Sequence, residues 1–225
     1  MTGNSYYYRK LHSLLGVIPI GVFLVEHFLT NYSAFRGGAN GHAEFIDSVL
    51  WIQNLPFIFF LELFGIWLPL LYHGVYGLYV AYQSRNNVSH YGYFRNQMFM
   101  LQRVTGVITL IFIVWHTFET RVQLALGNVA ATDLGVLMHS ILSNPVYFAL
   151  YCVGIVAAVF HLSNGMWNFF VTWGITVGPR AQRASSVVWG IFFVVMTTVG
   201  ILAMSAFVDP QFQEVPQIVL QGKGA

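Results

Sequence analysis

Five stretches of this chain stay apolar for about 20 residues or more, the length an α-helix needs to cross a bilayer. They fall at about 13–32, 57–82, 99–124, 146–172 and 187–208, and Asp209-Pro210 closes the last. The polar positions gather in the connections. Two of these, 83–98 and 174–186, are short and basic; the other two, 31–56 and 127–145, are longer. Each longer one carries apolar residues at helical spacing: Ala43, Ile46, Val49 and Leu50 in the first, Leu134, Leu137, Met138, Ile141 and Leu142 in the second. Each piece reads as a helix lying on the membrane surface or, alternatively, as a lid over a lipid-soluble ligand. Residues 211–225 read as a loose tail. The expected fold is all-α: a polytopic membrane protein with one transmembrane domain over 1–225, helices I–IV forming a four-helix bundle and helix V peripheral.

Composition agrees with this pattern. The chain is 56% hydrophobic and 8% charged, whereas soluble domains carry about 25% charged residues. A soluble globular class is thereby excluded. The polar start, 1–10, leads into a full-length apolar helix without a small-residue cleavage site, so no cleavable signal peptide is expected. A single cysteine, Cys152, allows no internal disulfide, no cysteine metal cluster and no Cys-x-x-Cys-His haem attachment. Charge placement sets the orientation. Arg9, Lys10, Arg85, Arg95, Arg103, Arg180 and Arg183 lie at one set of helix ends, and Arg36, Arg121 and Lys223 at the other. The positive-inside rule then puts the N-terminus in the cytoplasm and, after five crossings, the C-terminus outside.

Against that apolar background, four histidines stand out: His27, His73, His116 and His161, one inside each of helices I–IV. An ionisable side chain at membrane depth is costly and points to function. With about 1.5 Å of rise per residue, His73 and His161 lie about 14 and 16 Å from the inner face, and His27 and His116 about 21 and 25 Å. The four therefore pair by depth. Two imidazoles on facing helices at one level can hold a flat metal complex by both axial positions, as haem proteins and helix bundles do. Gly77 and Gly165 follow His73 and His161 by four residues, on the same helix face. They leave room for a macrocycle or, more simply, let helices pack closely.

An internal repeat runs through this pattern. His27 and His73 are 46 residues apart, His116 and His161 are 45 apart, and Gly16 and Gly106 precede the first histidine of each hairpin by eleven and ten. Helices I–II and III–IV read as two copies of one hairpin. A metal-transport path would want carboxylates or cysteines at neighbouring depths, and Glu26, Glu62 and Glu119 sit toward the outer ends. His12, His42, His90 and His139 read as solvated histidines of interfaces and loops.

The motifs resemble a known family. Arg9-Lys-Leu-His-Ser-Leu-Leu-Gly-Val-Ile-Pro19, Leu68-Pro-Leu-Leu-Tyr-His-Gly-Val-Tyr-Gly77, Tyr93-Phe-Arg-Asn96, Leu101-Gln-Arg-Val-Thr-Gly106, Trp115-His-Thr-Phe-Glu-Thr-Arg121, Phe160-His-Leu-Ser-Asn-Gly165 and Thr172-Trp-Gly-Ile-Thr176 are similar to the cytochrome b membrane anchors of succinate:quinone oxidoreductases. The likeness is to the five-helix, di-haem type of Gram-positive bacteria. It covers nearly the whole chain, up to about Asp209. It implies two non-covalent, bis-histidine haem b groups, an inner one on His73 and His161 and an outer one on His27 and His116. It also implies flavoprotein and iron–sulfur subunits on the cytoplasmic face, and electron transfer from succinate through the haems to menaquinone, with the bacterial cytoplasmic membrane as location. The same anchor run in reverse would serve fumarate reduction. The anchor itself would carry no succinate chemistry. Arg9, Arg103, Ser13 and Thr105 are candidate propionate contacts of the inner haem, and Arg36 or Arg121 of the outer. Glu44, Asp47 and Glu62 are candidate quinone-site proton donors or, more simply, interfacial carboxylates. The competing readings are another di-haem quinone-reactive cytochrome b and, in a different class, a haem-free transporter.

Overall fold

A computed structural model describes residues 4–85 and 87–217. The expectations placed on Lys223, on the tail beyond 217 and on the first three residues lie outside the described residues. Five helical spans are long and apolar enough to cross a membrane: Ser5–Arg36, Ile58–Gln83, Phe94–Ala125, Pro145–Thr172 and Gly178–Ala206. They correspond one for one to the five expected.

The first span is α1 (Asn4–Val17) followed by α2 (Pro19–Arg36). Pro19 has no N–H for the carbonyl of Leu15, and the ladder loosens there. The backbone N–H groups of Ile18 and Val22 still reach carbonyls four residues back, at 2.9 and 3.3 Å, so the span continues. Its start lies well before residue 13 because the tyrosine-rich, basic opening is itself helical. The segment α3 (Gly41–Gln53) follows. The second span is α4 (Ile58–Glu62), a π-helical turn (Leu63–Trp67) and α5 (Leu68–Gln83). The third is α6 (Phe94–Thr117), another π turn (Phe118–Val122) and α7 (Gln123–Ala125). After α8 (Leu134–Leu142) come α9 (Pro145–Thr172) and α10 (Gly178–Ala206). The last span begins nine residues before position 187. Pro179 suits a first turn, and polar Arg180, Gln182 and Arg183 form turns that a search for apolar residues passes over.

By contacts the described chain divides into two compact units. Unit 1 is drawn from Met1–Leu24, Phe59–Leu110 and Val156–Val195; unit 2 from Val25–Ile58, Ile111–Ile155 and Met196–Ala225. In unit 1, α1 packs on α5, and Tyr72 Oη donates to the Tyr8 carbonyl at 3.2 Å. Asn164 of α9 donates to the Met98 carbonyl of α6 at 3.2 Å and to Gln102 at 2.6 Å. Trp167 Nε1 donates to the Gln182 carbonyl of α10 at 3.1 Å. Basic residues brace the helix ends. Lys10 Nζ caps α9 through the Thr172 carbonyl at 2.6 Å and lies 4.6 Å from the Trp173 ring. The Arg95 guanidinium sits 3.5 Å from the Trp167 ring and bonds Ser186 at 2.5 Å. A cation near C-terminal carbonyls is favoured by their partial negative charge.

Unit 2 holds the most completely buried cluster. The two amphipathic pieces of the long connections are helices α3 and α8, packed together with Phe45, Ile46, Val49, Met138 and Leu142 inward. Phe207 and Phe212 complete this core, at 2% and 0% exposure. The loose-tail expectation is therefore corrected for residues 211–213. A 3₁₀ turn (Pro210–Phe212), capped by the Asp209 carboxylate accepting from Gln211 N at 3.0 Å, folds Phe212 back into the core. Burial of the Phe212 side chain, together with the hydrogen bonds of Gln211 to His42 and Gly38, offsets the entropy of ordering this short turn.

Two histidine readings change with it. His42 is 1% exposed; its Nδ1 donates to the Gln211 carbonyl at 2.9 Å and its ring stacks on Phe212. His139 Nδ1 donates to the Phe207 carbonyl at 2.8 Å. Both were expected to be solvated. Each instead satisfies a carbonyl of the returning chain, contacts that no local pattern announces. His90 is exposed as expected.

Candidate histidine-pair sites

Each unit contains one pair of the four intramembrane histidines. In unit 1 the rings of His73 and His161 lie 6.0 Å apart, centroid to centroid, at 84°. In unit 2 the rings of His27 and His116 lie 5.9 Å apart at 70°. The pairing matches the one derived from helix direction and depth. The separation has a chemical meaning. A metal–imidazole bond is about 2 Å. Adding about 1 Å from each bound nitrogen to its ring centre gives about 6 Å between rings that share one metal.

The unit 1 pair is built twice from the same parts. His73 Nδ1 donates to the His12 carbonyl of α1 at 2.9 Å, and His161 Nδ1 donates to the Gln102 carbonyl of α6 at 3.0 Å. Four residues beyond each acceptor stands a glycine, Gly16 or Gly106. In a helix the carbonyl of residue i already accepts from the N–H of i+4. Its second lone pair is reachable from the side only if no Cβ at i+4 blocks the approach. A Cβ on Gly16 would run into Cε1 of His73, and one on Gly106 would come within 2.7 Å of Cε1 of His161. The repeat seen in the sequence is thus a device: one helix of each hairpin supplies a bare carbonyl, and the other supplies an imidazole. With Nδ1 committed as donor, Nε2 is the nitrogen left with its lone pair on both rings. Orientation through the other ring nitrogen is the usual support for a metal-bound histidine.

Two polar residues expected elsewhere, or not singled out, belong to this site. His12, read as solvated, lies flat on His73, with centroids 4.1 Å apart and planes 4° apart. Gln102 reaches over His161; its Nε2 donates to the His161 carbonyl at 3.0 Å. Both sit four residues before a glycine, and that recurrence was the available signal. Gly77 and Gly165 face these residues: a Cβ on Gly77 would lie 3.1 Å from His12 Nε2, and one on Gly165 would lie 3.4 Å from Gln102 Nε2. The space they open is next to the second residue of each device.

The proposed propionate contacts divide. His12 Nε2 and Arg103 Nε are both buried without a hydrogen-bond partner. Buried polar atoms of that kind call for a partner, and a carboxylate-bearing macrocycle would bring one. Arg103 also donates to the Phe99 carbonyl at 2.7 Å, its guanidinium 3.2 Å from the Phe99 ring. Arg9 is exposed. Ser13 accepts from Trp173 Nε1 at 3.3 Å, and Thr105 Oγ1 donates back to the Leu101 carbonyl at 2.7 Å. The donor set around His73 and His161 therefore fits a bis-histidine haem; of the four expected propionate contacts only Arg103 has a buried unpartnered donor, and His12, which was not among them, has another.

In unit 2, His116 Nδ1 donates to Tyr151 Oη at 3.2 Å. The Asn31 amide lies 3.5 Å from both ring nitrogens of His27 and donates to the His27 carbonyl at 2.7 Å. Phe112 stacks beside His116, 5.8 Å between centroids at 16°, over Gly154, where a Cβ would strike its ring. Arg36 is paired with Glu44 at 3.2 Å, both partly exposed. Asp47 is exposed and Glu62 half-buried. Glu62 belongs to unit 1, while Glu44 and Asp47 belong to unit 2.

Two comparisons bear on this arrangement. Residues 83–200 match the family model described as succinate dehydrogenase/fumarate reductase transmembrane subunit. Over 211 residues, 92% of this chain and 100% of the relative, the sequence is 50% identical to the succinate dehydrogenase cytochrome b558 subunit of Bacillus subtilis (strain 168).

Proposed function

The chain belongs to the succinate dehydrogenase/fumarate reductase transmembrane-subunit family, and from that premise we propose that it is the di-haem b anchor of a succinate dehydrogenase. His73 and His161 would hold one haem b, and His27 and His116 the other. The observation that carries this reading is the pair of ring separations, 6.0 and 5.9 Å, one in each unit. Bound haem would supply a one-electron carrier, linking an iron–sulfur partner to menaquinone. The protein's part is to hold the carriers and to exclude water.

The chain's residues divide that work. His12 and Gln102, through their carbonyls, fix the tautomer of the unit 1 ligands. Arg103 and His12 offer donors to propionates. The basic ends, with Lys10, Arg95, Arg180 and Arg183, face the cytoplasm and meet the iron–sulfur and flavoprotein subunits. Glu44, Asp47 and Glu62 are the candidates for delivering protons to reduced quinone. The same anchor would serve fumarate reduction with the current reversed.

Haem quantitation and EPR of the membrane complex test the reading. We expect two low-spin haems per polypeptide. His73→Ala and His161→Ala should remove one centre, and His27→Ala and His116→Ala the other. Loss of a common centre from His73→Ala and His27→Ala would overturn the pairing, and a purified protein without a Soret band would favour a haem-free transporter.

A further inference from the structure

The supports of the two pairs differ in kind. His73 and His161 donate from Nδ1 to neutral backbone carbonyls. His116 donates instead to the hydroxyl of Tyr151 at 3.2 Å, and that hydroxyl donates onward to Glu119 Oε2 at 3.4 Å. The oxygen of Tyr151 thus sits between an imidazole N–H and a carboxylate, accepting from one and giving its own proton to the other.

Three observations make this a built arrangement. Tyr151 is 3% exposed, its ring held edge-on by Phe112, Trp115 and His116 at 5.2, 5.1 and 5.7 Å. Its hydroxyl therefore has little freedom to seek another partner. Glu119 lies in the π turn Phe118–Val122, which begins two residues after His116. Such turns change the face on which the next side chains emerge, and they recur at functional sites. Gly154, three residues beyond Tyr151 on α9, leaves the space in which Phe112 lies against His116.

We propose that Tyr151 and Glu119 are positioning residues for His116: a hydroxyl bridge ending in a carboxylate, which holds Nε2 as the ligand nitrogen and lowers the reduction potential of the His27–His116 centre. This rests on the reading of His116 as an axial ligand. A carboxylate at the end of the chain draws the Nδ1 proton outward and makes the imidazole a stronger electron donor to iron. The oxidised state, with one more positive charge at the metal, gains most from that. Second-shell partners act on ligand basicity in this way, and linked hydrogen bonds in a low-dielectric interior strengthen one another.

The test is a redox titration of the membrane complex, monitored optically and by EPR, on wild type, Tyr151→Phe and Glu119→Gln, with Glu119→Asp as the conservative variant. Tyr151→Phe keeps the ring and removes only the bridge. We expect both haems to be retained in each variant. In Tyr151→Phe the reduction equilibrium of one centre should move about tenfold toward the reduced form, 59 mV for one electron, with a change in its g values. Glu119→Gln should move the same centre in the same direction, Glu119→Asp should restore it in part, and the His73–His161 centre should stay in place. The affected centre is identified as the one that His116→Ala removes. Two haems with wild-type potentials and g values in Glu119→Gln would overturn the proposal, whatever the fate of Tyr151→Phe. Equal shifts at both centres would overturn it too, as the signature of general loosening. A single haem in the wild type would instead overturn the di-haem reading beneath it.

Discussion

At the scale of single residues, the paired histidines matter no more than the small residues that let them be held. Gly16 and Gly106 leave the carbonyls of His12 and Gln102 bare, and with no water in the bilayer core those carbonyls have few other suitors. Gly106→Val puts a branched side chain where a Cβ alone would come within 2.7 Å of the His161 ring. Overpacking of this kind costs about 1–3 kcal/mol, and a displaced imidazole loses its acceptor as well. The expected outcome for Gly16→Val and Gly106→Val is loss of one low-spin haem signal, that of the His73–His161 centre, with the other kept; haem content per polypeptide and EPR check it. His42 is a second case. Burial holds its pKa below the usual 6.5, partly offset by backbone carbonyls of Gln211 and Glu214. Its Nε2 is buried without a hydrogen-bond partner, and burial opposes a second proton more than those carbonyls favour it. The folded form resists protonation more than the unfolded form does. The contribution to stability is therefore present above pH 6.5 and is lost as pH falls through the lowered folded value. Hydrogen exchange of the amides around Gln211 should accelerate over that range in wild type, and the pH dependence should vanish in His42→Gln.

At the scale of elements, π turns and proline-broken joints carry the departures from regular helix. Segment II has a π turn at Leu63–Trp67, and segment III has one at Phe118–Val122. Apolar periodicity averages over such single turns, so neither was legible beforehand. The helices α3 and α8 were legible, since their apolar positions recur at helical spacing. That they pack on each other was not, because a surface helix on lipid and a helix in a small core show the same stripe. Phe212 closes that core, at 0% exposure. Phe212→Ala should cost about 3–5 kcal/mol, as large-to-small core changes do. Limited proteolysis should then cut after Phe207 much faster than in wild type, with haem content little changed.

For the whole molecule, the exposed apolar surface is itself informative. Val187, Val188 and Ile191 on α10 are 62, 57 and 59% exposed, a face that water would punish and that lipid tails receive without cost. A multi-pass membrane protein follows from this and from the family. Its orientation is the proposal drawn from charge: seven basic residues at one set of helix ends against three at the other. A reporter active only in the cytoplasm should work when inserted near Tyr91, and one active only outside should work when fused after Gln217; the reverse pattern would invert the assignment.

Taken alone, the order of residues determined whatever depends on local period and solvent: five spans, alternating up and down, and histidines sorted into two pairs by rise per residue. These follow because a helix has one pitch and a bilayer has one thickness. Tertiary structure decided what each imidazole leans on. The bare carbonyls at His12 and Gln102, the Tyr151 hydroxyl with its carboxylate, and the return of Phe212 over α3 all join residues far apart in the chain. Such contacts arise from which side chain fills which space once helices pack, and spacing along a single helix does not contain that information.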